Sequence, residues 1–276
     1  MKFFILFLPS LLWGDFISLE WLYLRGEQDG MAYAISPTEV MSLPTPWNSG
    51  FQVGLDLELV KKSVDILLEY TQYLTSCSAK KEGTDFFPTY NIANEFTNPF
   101  FGSVSNPEAS WNMAMRLLNL EIGHEVKLMK KLTLRPHIGL GALWHHQILR
   151  INYSGSGMEQ NLKRWGIGVR GGFNSNWILG YGFSLFADEA ITAMWSRFRI
   201  KRADTNVLNV NTNWITIKPV IEASLGLAWE QGPFALRAGW NFFLFMENNQ
   251  FLRLTEEANH GDLSLMGASL QVIWGF

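Results

Sequence analysis

Cysteine is almost absent: Cys77 stands alone in a chain of 276 residues. No intrachain disulfide is available, and the thiol lacks the companions a metal cluster requires, so it reads as an incidental loop residue. Charge is sparse as well. Asp, Glu, Lys and Arg make up 17% of the chain, and a formal net charge of −3 provides no basic balance of the kind nucleic-acid binding depends on. Long hydrophobic runs are missing past the N-terminus. None reaches the roughly 18 uncharged apolar residues of a spanning helix, which argues against helical membrane insertion. The short motifs of hydrolysis are missing too: there is no Gly-x-Ser-x-Gly elbow and no Asp-x-Asp or Asp-x-His pair.

Aromatic residues are abundant, at 14% with 12 Trp and 20 Phe, and alternation runs through most of the chain. Phe51, Val53, Leu55, Leu57 and Leu59 alternate with Gln52, Gly54, Asp56 and Glu58. After Lys61-Lys62 the pattern resumes, with Val64, Ile66, Leu68 and Tyr70 set against Asp65 and Glu69. Period two means extended strands with one apolar and one polar face, and so short a turn makes an antiparallel hairpin. The same pattern begins at Phe16, with Ile17, Leu19, Trp21 and Tyr23 opposite Ser18 and Glu20. It returns at 111–126, 132–148, 164–173, 177–185, 214–229 and from Phe234 onward. It ends with Met266, Ala268, Leu270, Val272, Trp274 and Phe276 on one face.

About ten strands result, within a range of eight to twelve. Turns at Lys61-Lys62, 127–131, Asn174-Ser175-Asn176 and Gln231-Gly232-Pro233 are short. The connections at 26–49, 76–110, 150–162, 191–213 and 247–261 are long. Short turns at one rim and long loops at the other characterise an antiparallel up-and-down transmembrane β-barrel of the bacterial outer membrane, with periplasmic turns and outer loops; an even strand count brings both termini to the short-turn rim. A soluble β-sandwich is the competing architecture. The aromatic ends of the apolar faces, the loop asymmetry and the N-terminus favour the barrel. Residues 1–14 carry Lys2, a short apolar core and Gly14, and read as a secretory signal peptide, which leaves 15–276 as the barrel domain.

In that barrel the polar faces line the lumen. The expected lumen-lining acids are Glu20, Asp56, Glu58, Asp65, Glu69, Glu121, Glu125 and Glu222. The expected bases are Arg116, Arg135, Arg164, Arg170, Lys218 and Arg237, with His137. Acids cluster on the second and third strands and most bases elsewhere, which gives a transverse field suited to a pore for small hydrophilic solutes. It equally suits a salt-bridged plug. A closed structural or adhesin barrel working through its long loops is therefore the alternative to a porin.

A third class, a hydrolase at the outer rim, would draw on Asp188, Glu189, His145 and His146. No enzyme, metal or cofactor is expected. Adjacent histidines on a strand face opposite ways. The run Gly166-Ile167-Gly168-Val169-Arg170-Gly171 has dinucleotide-loop spacing but lies inside a strand rather than before a helix. Expected partners are outer-membrane lipid and small polar solutes, and oligomers are common among porins. The basic run Arg197, Arg199, Lys201, Arg202 could meet lipopolysaccharide phosphates.

Several segments resemble a known family. Ser18-Leu19-Glu20-Trp21-Leu22-Tyr23-Leu24, Trp47 leading into Gly50-Phe51-Gln52-Val53-Gly54-Leu55, and Arg135-Pro136-His137-Ile138-Gly139-Leu140 are similar to the pore-forming major outer membrane proteins of Legionella and chlamydiae. So are Trp165-Gly166-Ile167-Gly168-Val169-Arg170-Gly171-Gly172, Lys218-Pro219-Val220-Ile221-Glu222-Ala223 and the end Trp274-Gly275-Phe276. The resemblance implies a porin-like function. Its best-known members are rich in cross-linked cysteine, and the single Cys77 departs from that.

Overall fold

The computed structural model describes residues 15–60, 64–90, 103–154, 156–204, 209–252 and 260–275. The strands in chain order are β1 (Phe16–Gln28), β2 (Ala32–Ile35), β3 (Val40–Ser42), β4 (Trp47–Val60), β5 (Val64–Lys80), β6 (Phe87–Pro88) and β7 (Glu108–His124). After them come β8 (Val126–Met129), β9 (Leu132–Tyr153), β10 (Ser156–Gly180), β11 (Phe183–Asp204), β12 (Asn209–Gln231), β13 (Phe234–Asn249) and β14 (Gly261–Gly275). Antiparallel pairing runs β10-β11-β12-β13-β14-β1-β4-β5-β7-β9, and β9 pairs back onto β10. Ten strands therefore close into a barrel, which among the described residues has no open edge of its own. β8 is a short appendage folded onto β9 at the inner rim, while β2, β3 and β6 form a separate small sheet.

Alternation follows the pleat. On β11 the outward residues are Phe183, Leu185, Ala187, Glu189, Ile191, Ala193 and Trp195. Aromatic side chains mark two levels. At the lower level Phe183 is opposite Trp229, and Phe234 stacks on Trp274 at 6.4 Å. At the upper level Trp165 meets Trp195 edge-on at 5.5 Å and lies opposite Trp144, while Trp47 meets Tyr23 at 5.3 Å and Trp240 at 6.1 Å. The tilted strand between Phe183 and Trp195 rises roughly 30 Å, close to the height of the lipid-facing band of an outer-membrane barrel.

Above the upper girdle the pattern inverts. On β11 Arg197, Arg199 and Lys201 point outward, while Phe198 and Ile200 are buried inside. On β9 Arg150 and Asn152 point out, and Leu149, Ile151 and Tyr153 point in. The surrounding solvent changes from lipid to water there, so the apolar side chains move from the outer face to the interior. The upper half of the barrel thus has a soluble-type core. Leu22, Leu24, Met113, Met115, Leu117, Leu143, Met194, Phe198, Phe245, Leu263 and Leu265 fill it, all buried.

Phe251 and Leu252, in the connection after β13, enter this core and are buried. Gln160 secures the segment from both sides: its Nε2 donates to the Leu252 carbonyl at 2.7 Å, and its Oε1 accepts from the Leu252 amide at 2.7 Å. Tyr33, Met41, Phe86 and Tyr90 from the small sheet and its flanks join the core from above.

Four sequence expectations change. Asn174-Ser175-Asn176 is not a turn, because β10 continues to Gly180. Asn174 accepts from Arg135 Nη1 at 2.8 Å inside the barrel, and the Ser175 hydroxyl donates to the Ala187 carbonyl at 2.9 Å. The reversal falls at Tyr181 (φ 54°) and Gly182 (φ 82°) instead. Within 150–162 the strands β9 and β10 run to Tyr153 and from Ser156, and most of 191–213 is also tall strand rather than loop, because the water-exposed extension continues the ladder. At 26–49 and 76–110 the long connections contain β2, β3 and β6, and β1, β4, β5 and β7 extend into them. The segment 127–131 carries most of β8. The signal peptide and the Lys61-Lys62 turn lie outside the described residues.

Candidate functional site

The lower half of the interior is polar, with a central network around Glu121 and smaller paired clusters beside it. Arg135 on β9 pairs with Asp65 on β5, its Nε donating to Oδ1 at 2.8 Å, and its Nη1 reaches Glu121 Oε2 on β7 at 3.3 Å. Arg170 on β10 donates from Nε to Glu121 Oε1 at 2.6 Å and from Nη1 to Glu222 on β12. His137 Nδ1 lies 3.1 Å from Glu121 Oε2. Asn119 Nδ2 donates to Glu222 Oε2 at 3.3 Å. Gln52 Nε2 donates to Glu69 Oε1 at 2.5 Å, and Asn241 Nδ2 donates to Glu20 Oε1 at 2.9 Å. Arg237 lies over the Phe186 ring at 3.6 Å and donates to Asp188 Oδ2 at 2.7 Å.

These cross-lumen pairs use neighbouring and more distant strands alike, because inward side chains of a ten-stranded barrel meet across a narrow interior. Each buried cation there has an acid within reach, which offsets the desolvation of both. Two cavities accompany the network. One of about 410 Å³ lies at the inner rim, lined by Asp56, Glu69, Glu125, Arg135, Asn174 and Arg237. A smaller one of about 90 Å³ lies beside Glu20, Glu121, Arg170 and Glu222.

The expected lumen set therefore divides. Asp65, Glu121, Arg135, His137, Arg170 and Glu222 converge in the central network; Glu20, Glu69 and Arg237 point into the same interior in pairs with Asn241, Gln52 and Asp188, and Asp56 lines the inner-rim cavity. Glu58 lies at the lower end of β4, where its amide donates to Asp15 Oδ1 at 3.3 Å. Glu125 is exposed in the break between β7 and β8.

Arg116 does not enter the lumen. It shares the parity of Leu118 and Leu120, is exposed on the outer face, and lies opposite Gln72 and Trp144. A long arginine at this level reaches the headgroup region with its stem in the apolar band. Lys218 sits higher, paired with Glu247. Arg164 belongs to the upper core. Its Nε donates to Ser196 Oγ at 3.1 Å, its Nη1 donates to Asn248 Oδ1 at 2.9 Å, and its plane faces Phe198 at 5.1 Å. Its Nη2 is buried without a hydrogen-bond partner, and among the described residues no acid pairs with it.

The residues of a rim hydrolase are separated. Asp188 is inside, held by Arg237, while Glu189 is exposed on the outer face. His145 is buried in the upper core, with Nδ1 3.2 Å from Asn248 Oδ1, and His146 faces out against Asn161 at 3.0 Å. Among the described residues no three His, Cys, Asp or Glu side chains converge to hold a metal ion. Sequence reading missed Asp188, Gln52, Asn119 and Asn174 as interior partners. Gln52 and Asn119 stand on the polar faces but are neutral amides, whereas Asn174 reads as a turn residue and Asp188 as one of the outer rim.

Residues 12–276 match the family described as Legionella pneumophila major outer membrane protein precursor. The chain belongs to this family. Its place is accordingly the bacterial outer membrane, where a closed barrel with two aromatic girdles is at home. No curated protein matches the chain. Among solved structures, the outer membrane protease OmpT from Escherichia coli is similar at 10% identity, with a TM-score of 0.55 over 95% of this chain and 97% of that one. A major outer membrane protein from Thermus thermophilus is similar at 10% identity with a TM-score of 0.44, over 95% and 99%. The attachment invasion locus protein Ail of Yersinia pestis is similar at 9% identity and 0.34, over 96% and 100%. The likeness to OmpT concerns the fold alone.

Proposed function

We propose that this member of the family is a closed barrel that works at the outer surface, as a structural or adhesive protein, rather than as a standing pore. The observation that carries this reading is the apolar core of the upper half, where Phe251 and Leu252 complete a packing of inward residues from β1, β7, β9, β11, β13 and β14. Apolar packing of this kind opposes the passage of water and ions, and the polar groups within it, Arg164, His145 and Asn248 among them, are hydrogen-bonded to one another. Burying one large apolar side chain contributes about 1.5–3 kcal/mol toward keeping it in place. The tall extension then acts as a rigid platform for the small sheet of β2, β3 and β6.

A porin-like reading has its own support. The cavities extend from the inner rim to Arg170, and among the described residues the upper core lies between them and the outside. In that reading the core is a gate, and small polar solutes are the cargo. Planar-bilayer recording separates the two. The closed barrel predicts inserted wild-type protein without discrete steps, and steps in a Phe251→Ser/Leu252→Ser variant. Steps of the wild type at modest voltage would sink the closed reading and favour the porin.

A further inference from the structure

Outward-facing cations gather in one place. On β10 and β11, just above Trp165 and Trp195, Lys163 lies directly opposite Arg199, and Trp165 lies opposite Arg197. Asn161 lies opposite Lys201. Lys163, Arg199 and Lys201 are exposed, and Arg197 is half-buried, with a buried Nε that has no hydrogen-bond partner. Other exposed cations of the outer extension have acids beside them: Arg150 with Glu159 at 2.7 Å, Arg25 with Glu27 at 4.0 Å, and Lys81 with Glu39 at 3.2 Å. Among the described residues none of these four cations forms an ion pair. Like charges directly across a ladder repel, with Cβ atoms only about 5 Å apart. The fold thus holds four cations on two adjacent strands, and an anion between them would relieve the repulsion.

Position identifies the anion. The patch faces sideways from the barrel rather than upward into the medium, and the tryptophans beneath it fix the hydrocarbon boundary. The groups that meet it are therefore outer-leaflet headgroups. We propose that the outward face of β10 and β11 above Trp165 and Trp195 binds the phosphates of a phosphorylated glycolipid of the outer leaflet, of the lipid A class. Guanidinium groups suit bidentate phosphate recognition, and the lysines add point charge. Below the phosphates, the acyl chains would lie along the apolar band with Ile167, Val169 and Ile191, all exposed on the outer face.

The test uses the full chain refolded in a zwitterionic detergent, with purified diphosphorylated lipid A titrated in and retention followed by native mass spectrometry. The wild type should retain one lipid A, and Lys163→Gln/Arg199→Gln should bind about fivefold more weakly for each cation removed. Removing the inner-rim cations in Lys130→Gln/Lys131→Gln should leave binding unchanged. Lipid A stripped of both phosphates, tested on the wild type, keeps the idea falsifiable even where a variant does not fold. Equal retention of stripped and intact lipid A would overturn the proposal, as would unchanged affinity in the double variant. Phosphatidylglycerol that displaces lipid A at equal concentration would overturn the assignment to a glycolipid.

Discussion

Arg170 Nε lies 2.6 Å from Glu121 Oε1, a contact that bridges β10 and β7 across the intervening β9. The same guanidinium also holds Glu222 on β12. One cation therefore ties acids from both sides of the barrel, and its loss would leave Glu222 without a cation and Glu121 with Arg135 alone at 3.3 Å. Arg170→Met is expected to lower stability by about 3–5 kcal/mol. Urea unfolding in lipid vesicles, followed by tryptophan fluorescence, measures this. Adding Glu121→Gln and Glu222→Gln to the same chain should recover much of the loss, whereas an unchanged midpoint in the single variant would show that the network contributes little.

Arg164 predicts the opposite sign. It is buried in the upper core with two neutral acceptors and a stacked ring, and no acid compensates it among the described residues. Replacing an uncompensated buried charge by an apolar chain of similar length removes a desolvation cost. Arg164→Met should raise stability by about 1–2 kcal/mol in the same unfolding assay. A loss as large as that of Arg170→Met would mean that Arg164 has a compensating partner in solution.

Glu189 is exposed on the outer face midway between Phe183 and Trp195, with Ala187 and Ile191 on either side along the strand. A carboxylate facing lipid near the band's centre costs less than an arginine or lysine there, but it still costs. Glu189→Leu is expected to stabilise the inserted barrel by about 1 kcal/mol, read as a shift in the unfolding midpoint in vesicles. Glu189→Gln should fall between. A destabilised leucine variant would argue that this face is covered by something other than lipid.

Glu247 gives a pH signature at the outer end of β13. The hydrogen bond from Lys218 is the main influence on its carboxyl and holds it below the ordinary glutamate range. A lowered folded-state pKa stabilises the tie above the unfolded value of about 4.3, and that contribution is lost as pH falls through the folded value. Amide hydrogen exchange at residues 246–250, corrected for intrinsic rate, should stay slow from pH 7 to about 5 and speed up below about 4. In Glu247→Gln it should be faster throughout and flat across that window. A wild type that is equally flat would disprove the coupling.

Period-two alternation with aromatic ends and alternating short and long connections was enough to read an outer-membrane barrel of about ten strands from the residues alone. That pattern follows from the pleat and from a lipid-facing outer surface. The network's members were legible as well, because parity puts Glu121, Arg135, Arg170 and Glu222 on one face. Parity also assigns Arg116 outward, with Leu118 and Leu120, and Asp188 inward, opposite to Glu189. Even the inversion above the girdle is written in the chain, where Arg197, Arg199 and Lys201 alternate with Phe198 and Ile200.

Its meaning required the fold. Whether an apolar face looks at lipid or at a core depends on how high its residues stand along the barrel, and strand tilt and register set that height. Which acid meets Arg170 depends on contacts across the interior between strands far apart in sequence, and the entry of Phe251 and Leu252 depends on a gap that only closure creates. The sequence determined the strands, their faces and their family. The tertiary structure decided which solvent each face meets and which interior side chains meet across the barrel.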